Sequence, residues 1–180
     1  GLSEEIMRRL DDNTLDMGFT YNPDAVTGLT TEPLLMEDLY LVGPAGPDDP
    51  GDKVPFTEVC RHSLILPSKG FGLRDWLEDT ARDREQTIDV AFEIDSVATQ
   101  RELVEGGLGW TVLPYAAVQR SVADGRLFAA QITRPRISRT LHFAYAAAHT
   151  ENKASRAIRG VIDSVIADSI AGSGGRLRKP

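Results

Sequence analysis

By type, the residues most able to do chemistry are three histidines and one cysteine: His62, His142, His149 and Cys60. A metal site asks for ligands at fixed spacing, such as two histidines one helical turn apart, and none of these has such a neighbour. A surface or satisfied core histidine is the plainer reading of each. Cys60 stands in no nucleophile context and reads as a lone buried thiol. The chain has no Gly-x-Ser-x-Gly elbow and no Walker-type phosphate loop. Gly70-Phe71-Gly72 precedes a predicted helix and could aim backbone N–H groups at an anion, although glycine there more often only makes a turn. The carboxylate pairs Glu4-Glu5, Asp11-Asp12 and Asp48-Asp49 fall in helix ends and loops, where a solvated acidic face is the ordinary outcome. These residues make no catalytic constellation. The chain is expected not to be an enzyme and to need no cofactor or metal.

What the sequence does offer is small polar groups where strands hand over to helices. Thr20 and Tyr21 end one apolar stretch, Ser68 follows another, and Ser96 follows a third. In open α/β sheets ligands sit at the carboxyl ends of strands, often over helix N-termini. Hydroxyls and free N–H groups there suit a small polar or anionic ligand. Ser96 is also a natural helix cap, and the two roles are compatible.

The elements that must hold these groups follow from periodicity. Leu2, Ile6 and Leu10 lie at i, i+4, i+8 of a first helix that Ser3 could cap. Leu15 to Phe19 reads as a buried strand closed by the turn Asn22-Pro23-Asp24. Leu29 to Leu35 and Leu39 to Val42 read as two further strands, and residues 44–53 as a loop rich in proline, glycine and aspartate. Ser63 to Leu66 is a strand stopped by Pro67, and Leu73, Trp76, Leu77 and Ala81 mark a helix face. Ile88 to Ile94 alternates at strand period. Asp95-Ser96 then opens a helix through Val104, closed by Gly106-Gly107. Strands are expected at Trp110–Leu113, Leu127–Ile132 and Thr140–Ala146, with a helix from Tyr115 to about Ala123. The last helix carries Ile158, Val161, Ile162, Val165, Ile166 and Ile170 on one stripe. Alternating strands and helices predict α/β sheets with parallel strands.

Composition agrees with a folded domain: 180 residues, 41% hydrophobic and 26% charged, enough for one good core or two small lobes. A formal net charge of −7 opposes autonomous binding to a phosphate backbone. The basic end (Arg176, Arg178, Lys179) follows a glycine-rich stretch and is expected to be a flexible tail over 173–180. A single cysteine fits a reducing, cytoplasmic compartment. No apolar run approaches the roughly 20 residues of a membrane span, so no membrane partner is expected. With Gly1 running almost at once into a helix, the chain is expected to begin inside a longer protein.

The order of these pieces resembles the effector-binding domain of LysR-type bacterial transcription regulators. Leu10-Asp11-Asp12-Asn13-Thr14-Leu15-Asp16-Met17-Gly18 is similar to that family's helix end running into "G-x-LD-aliphatic". Gly28-Leu29, Glu32-Pro33-Leu34 and Asp38-Leu39-Tyr40-Leu41-Val42 resemble its "GL…EPL…E-x-L-x-LV" passage. Leu64-Ile65-Leu66-Pro67-Ser68 with Gly72-Leu73-Arg74 resembles "LILPS…GLR". Glu93-Ile94-Asp95-Ser96, Leu103-Val104-Glu105-Gly106-Gly107-Leu108-Gly109 and Leu113-Pro114 follow in register. Gly125-Arg126-Leu127 and Pro135 to Leu141 complete the set. Within the family, residues 109–118 look like the branch that includes nitrogen-assimilation regulators.

The resemblance implies two Rossmann-like lobes with a ligand cleft, of the periplasmic-binding-protein-like (type 2) kind. Lobe I would be residues 1–37 plus 138–172, lacking its first strand, first helix and second strand, and lobe II residues 38–137. Ser3, Phe19, Thr20 and Tyr21 would form one wall of the effector site, and Ser68, Lys69, Phe71, Ser96 and Val97 the other. The implied partners are a small-molecule effector, with an organic anion favoured by Lys69 and the helix N-termini, and a second copy in a homodimer or homotetramer. DNA would be a partner only through a winged helix-turn-helix that precedes this region in the family. A periplasmic solute-binding protein for transport shares the two-lobe design and is the alternative.

Overall fold

The computed structural model describes residues 2–47, 49–70, 72–146 and 153–180. His149, Asp48 and Phe71 lie outside the described residues. The chain divides into two compact units: unit 1 comprises Gly1–Glu37 with Ser138–Pro180, and unit 2 comprises Asp38–Ile137.

Unit 2 is built on a sheet. Strands β3 (Lys53–Pro55), β4 (Ser63–Leu66), β5 (Asp89–Glu93), β6 (Thr111–Pro114) and β7 (Leu127–Thr133) belong wholly to it. The long β2 (Leu29–Pro44) enters it from unit 1. Leu39–Val42 of β2 pair antiparallel with β6 on one side, and Tyr40–Pro44 pair antiparallel with β7 on the other. β3 runs parallel to β7, and β4 runs parallel to β5. A parallel bridge between Leu64 and Trp110 joins the β4–β5 pair to the rest. The order is therefore β5-β4-β6-β2-β7-β3, with β2 alone running against the other five. The parallel expectation holds for those five strands and fails for β2, because that strand arrives from the other unit instead of through a local crossover helix.

Helices α2 (Phe56–Val59), α3 (Gly72–Arg82), α4 (Val97–Glu105) and α5 (Tyr115–Ala123) follow β3, β4, β5 and β6 in turn. Their apolar sides close two clusters. Leu39, Leu41, Phe56, Leu64, Leu66, Leu77 and Ile132 fill one, and Tyr40, Val42, Ile65, Val104, Leu113 and Val118 fill the other. The split follows strand alternation: odd and even residues of β2 face opposite sides of the sheet. Gly43 is required by crowding, since a Cβ there would meet Trp110 and Phe128 at 2.7 Å.

Unit 1 contains α1 (Leu2–Asp11), β1 (Met17–Tyr21), the first part of β2, β8 (Ser138–Ala146), α6 (Lys153–Gly172) and β9 (Leu177–Arg178). β1 pairs antiparallel with β8, from Met17 opposite Tyr145 to Tyr21 opposite Leu141. One cluster of its described core joins Met7, Leu10 and Ala144, with Ile6, Leu15, Val26 and Leu29 against them.

Three expectations need correction here. The segments 29–35 and 39–42 form one strand, because Pro33 interrupts the hydrogen-bonding potential of a single residue without bending the extended chain. Ser3 lies within α1 and is not its cap. The end of the chain is not a free tail: Leu177 and Arg178 pair antiparallel with Glu37 and Met36, and Ser173 Oγ accepts the Leu177 N–H at 3.1 Å. Unpaired strand edges attract such short additions.

Candidate functional site

In unit 2 the carboxyl ends of β4, β5 and β6 share one edge of the sheet, and each gives way to a helix whose N-terminus opens at that edge. Ser96 caps α4: its hydroxyl accepts the Thr99 N–H at 3.3 Å. Ser68 ends the passage out of β4, and its N–H donates to Asp95 Oδ1 at 2.9 Å. That bond ties the loop after β4 to the loop after β5, so Ser68 and Ser96 lie on neighbouring loops. Ser68 is half-buried, while Lys69, Ser96 and Val97 are exposed.

Two buried side chains, neither singled out from sequence, hold these loops. Gln100 on α4 donates from Nε2 to the Ile94 carbonyl at 2.6 Å. It accepts from Thr111 Oγ1 at 3.1 Å, where the same hydroxyl lies 2.7 Å from the Ile65 carbonyl. The amide thus ties the residue after β5 to the start of β6, whose Thr111 hydroxyl also lies against β4. Arg74, with its side chain 5% exposed, donates from Nε to Glu78 at 2.6 Å and from Nη1 to the Pro67 carbonyl at 3.3 Å. It fixes the turn that carries Ser68 and Lys69. A buried guanidinium is tolerated because its donors meet acceptors. Gln100 sits four residues after a serine cap, which is a position sequence reading could have tested.

In unit 1, Ser3, Phe19, Thr20 and Tyr21 do not make a single wall. Consecutive strand residues point to opposite faces. Phe19 and Tyr21 share one face of β1. Phe19 is 44% exposed, with its ring 5.8 Å from Phe143. Thr20 takes the other face, which it shares with Gly18 beneath Ile6 of α1. Thr20 is 1% exposed, and its hydroxyl has no partner among the described residues. Its cross-strand neighbour His142 also has a buried, unpartnered Nδ1, and burial holds that imidazole below the usual histidine pKa.

Ser3 reaches the site by another route: its hydroxyl accepts the Tyr21 N–H at 3.1 Å. The Tyr21 ring lies under a residue the site reading had not included, with the Arg139 guanidinium carbon 3.7 Å from the ring centroid. Arg139 Nε in turn donates to Glu37 Oε1 at 2.7 Å. Burial pushes the Tyr21 hydroxyl up to about 12, with Arg139 opposing and Glu37 adding to the shift. The signal for this cluster was a carboxylate pair, Glu37-Asp38, matched by an arginine pair, Arg136 and Arg139, far along the chain.

His142 departs from the expected satisfied core histidine, since its buried Nδ1 has no partner among the described residues, and His62 and Cys60 sit in local packing. His62 stacks on Trp110 at 3.6 Å and meets Glu58 at 3.2 Å. Cys60 is half-buried, and burial pushes its thiol pKa up. Among the described residues no group of histidine, cysteine or carboxylate side chains is arranged to hold a metal ion.

Residues 1–167 match the family described as LysR substrate binding domain. The chain belongs to that family. Its relatives include the nitrogen assimilation regulatory protein nac of Klebsiella aerogenes, 30% identical over 152 residues, 84% of this chain and 49% of that protein. The LysR-type chain thus spans about half the length of the curated relatives it matches. The regulatory domain of CcmR from Synechocystis PCC6803, solved in complex with 2-PG, has a TM-score of 0.79 at 21% identity, covering 91% of this chain and 79% of that one. The effector binding domain of QuiR, solved in complex with shikimate, has a TM-score of 0.78 at 18% identity, covering 93% and 79%. The fold of this LysR domain is accordingly α/β and periplasmic-binding-protein-like, type 2.

Proposed function

We propose that this chain is the effector-sensing part of a LysR-type transcription regulator. A small molecule binds it, and the bound state alters DNA binding by another part of the protein. The family match over residues 1–167 carries this reading. The relatives are transcription regulators, which speaks against transport and against catalysis. Two solved neighbours hold small molecules, which supports ligand binding as the domain's task. No described helix is long and apolar enough to cross a membrane. A cytoplasmic homodimer or homotetramer without a cofactor is the proposed setting.

The proposed effector contacts are Ser68, Lys69, Phe71, Ser96 and Val97 of unit 2, with Phe19 and Tyr21 of unit 1 and Ser3 supporting Tyr21. Thr20 is left out because it faces α1. An effector biases the protein's states only by its differential affinity for them. The test is a thermal-shift screen of carboxylates, amino acids and sugars, since a ligand of the folded state raises the midpoint by mass action. Ser68→Ala and Ser96→Ala should shrink that ligand-induced rise. Ser96→Ala also loses a cap worth about 1 kcal/mol, so the rise is compared within each variant. An undiminished rise in both would remove the unit 2 serines from the site, and turnover of a screened compound would replace sensing with catalysis.

A further inference from the structure

Arg136 and Arg139 stand three residues apart and use their guanidinium groups differently. Arg136 meets Asp38 through Nε and Nη2 together, engaging both carboxylate oxygens. The Asp38 side chain is fully buried and also accepts from Gln131 at 2.8 Å. That fork is consumed in holding the fold. Among the described residues, Arg139 bonds its carboxylate partner, Glu37, through Nε, and its guanidinium also comes within hydrogen-bond reach of the Tyr21 hydroxyl. Its central carbon lies over the Tyr21 ring, 3.7 Å from the centroid, and the Tyr21 N–H is held by Ser3. The Glu37 side chain is 8% exposed and that of Arg139 23% exposed. A guanidinium anchored at Nε and lying over a ring keeps its position, and the edge formed by its two Nη groups lies away from the anchoring atom.

We infer that Arg139 is an anion-binding residue of the candidate site, its Nη edge taking a carboxylate or similar planar oxyanion by two parallel hydrogen bonds. Such forks match carboxylate geometry and give orientation as well as affinity. Anchoring in advance removes much of the ordering cost that a free arginine would meet on binding. Glu37 is the pre-organising partner, Tyr21 the platform, and Ser3 a positioning residue. The inference rests on the effector-sensing reading and adds the ligand's chemical class and the residue that recognises it.

The test uses the whole chain and five probes: succinate, citrate and shikimate as oxyanions, succinamide as a neutral match, and 1,4-diaminobutane as a cationic one. Two readouts are taken. One is the thermal midpoint. The other is the Arg139 Nε–H signal in a nitrogen-15 spectrum, assigned by its loss in Arg139→Lys. Each probe is raised to about 20 mM, where a site of millimolar affinity is nearly saturated. At least one oxyanion should move the Arg139 signal and raise the midpoint. Arg139→Gln should abolish that rise. Arg139→Lys, which keeps the charge but not the fork, should weaken the oxyanion by about tenfold or more. Tyr21→Leu should weaken it with the Glu37 pair intact, and circular dichroism verifies that each variant is folded. An Arg139 signal unmoved by all three oxyanions overturns the assignment, as does a rise that survives Arg139→Gln. A rise with succinamide or diaminobutane alone removes Arg139 and leaves sensing standing. The broader screen described above decides the sensing reading separately.

Discussion

The two units reach order by different physical means. Unit 2 buries large aliphatic and aromatic side chains on both faces of its sheet, with Phe56, Leu39, Leu41, Leu64, Leu66 and Ile132 fully enclosed. In unit 1 the described buried apolar residues are smaller in number and include Met7, Leu10, Leu34, Leu35, Phe143 and Ala144, and directional contacts stand beside them. Glu32 meets both Tyr145 and Arg159, and these bonds, Tyr145 first, hold its carboxyl below the usual range against the opposing effect of burial. Glu37 meets Arg139, and Arg139 meets Tyr21. On α6, Ile158, Val161 and Val165 are exposed. The exposed large apolar residues of unit 2 (Phe92, Val97 and Leu108) sit on its edge strand β5, on α4 and just beyond it. Apolar burial is tolerant of direction and yields a rigid frame. A hydrogen-bonded or stacked contact depends on orientation and is sensitive to charge and pH.

This comparison can be broken most forcefully in unit 2. Phe56→Ala empties a fully buried ring position and should cost about 3–5 kcal/mol, read as a lower denaturation midpoint in urea. A cost below about 1 kcal/mol would show that the unit 2 core is not the frame described.

A smaller effect should come from the directional contacts of unit 1. The Tyr21 hydroxyl is raised from about 10 in the unfolded chain to about 12 in the fold. The unfolded chain therefore releases this proton first. The stabilising difference is fully present below pH 10 and is lost as pH rises through 12. Tyr21→Phe should flatten that part of the stability profile, by on the order of 1 kcal/mol after allowance for the exposed part of the ring. Identical slopes in the two proteins above pH 10 would count against the buried, Glu37-facing hydroxyl.

The smallest change sharpens the contrast from the other side. Val161 is 64% exposed, so Val161→Ala should shift stability by less than about 0.5 kcal/mol. A loss as large as that of Phe56→Ala would mean that this face of α6 is covered in solution.

Much of the frame was legible beforehand. The strands around Leu64, Val90, Val112 and Leu127 and the helices opening at Ser96 and Tyr115 appear where apolar runs, turn residues and caps place them. These signals are local: period, cap and breaker act within a few residues. The short β3, α2 and β9 escape such reading because two to four residues carry no period. The candidate site was legible in part, since Ser68 and Ser96 follow strands by chain order alone. That Phe19 and Tyr21 take one face of β1 and Thr20 the other was less legible, because chain order alone does not say which face of a strand is buried.

The sequence by itself determined the family, the succession of elements and the polar residues at the strand ends, since each is written in neighbouring residues. Only the tertiary structure decided that β2 runs against the other five strands of its unit 2 sheet, that the last residues pair as a strand, and that Arg139 lies over Tyr21 while Arg136 is consumed by Asp38. Those outcomes join residues about a hundred positions apart, as with Glu37 and Arg139. Such pairings are selected by which polar groups can be satisfied together once the strands are in place, and no local pattern records that selection.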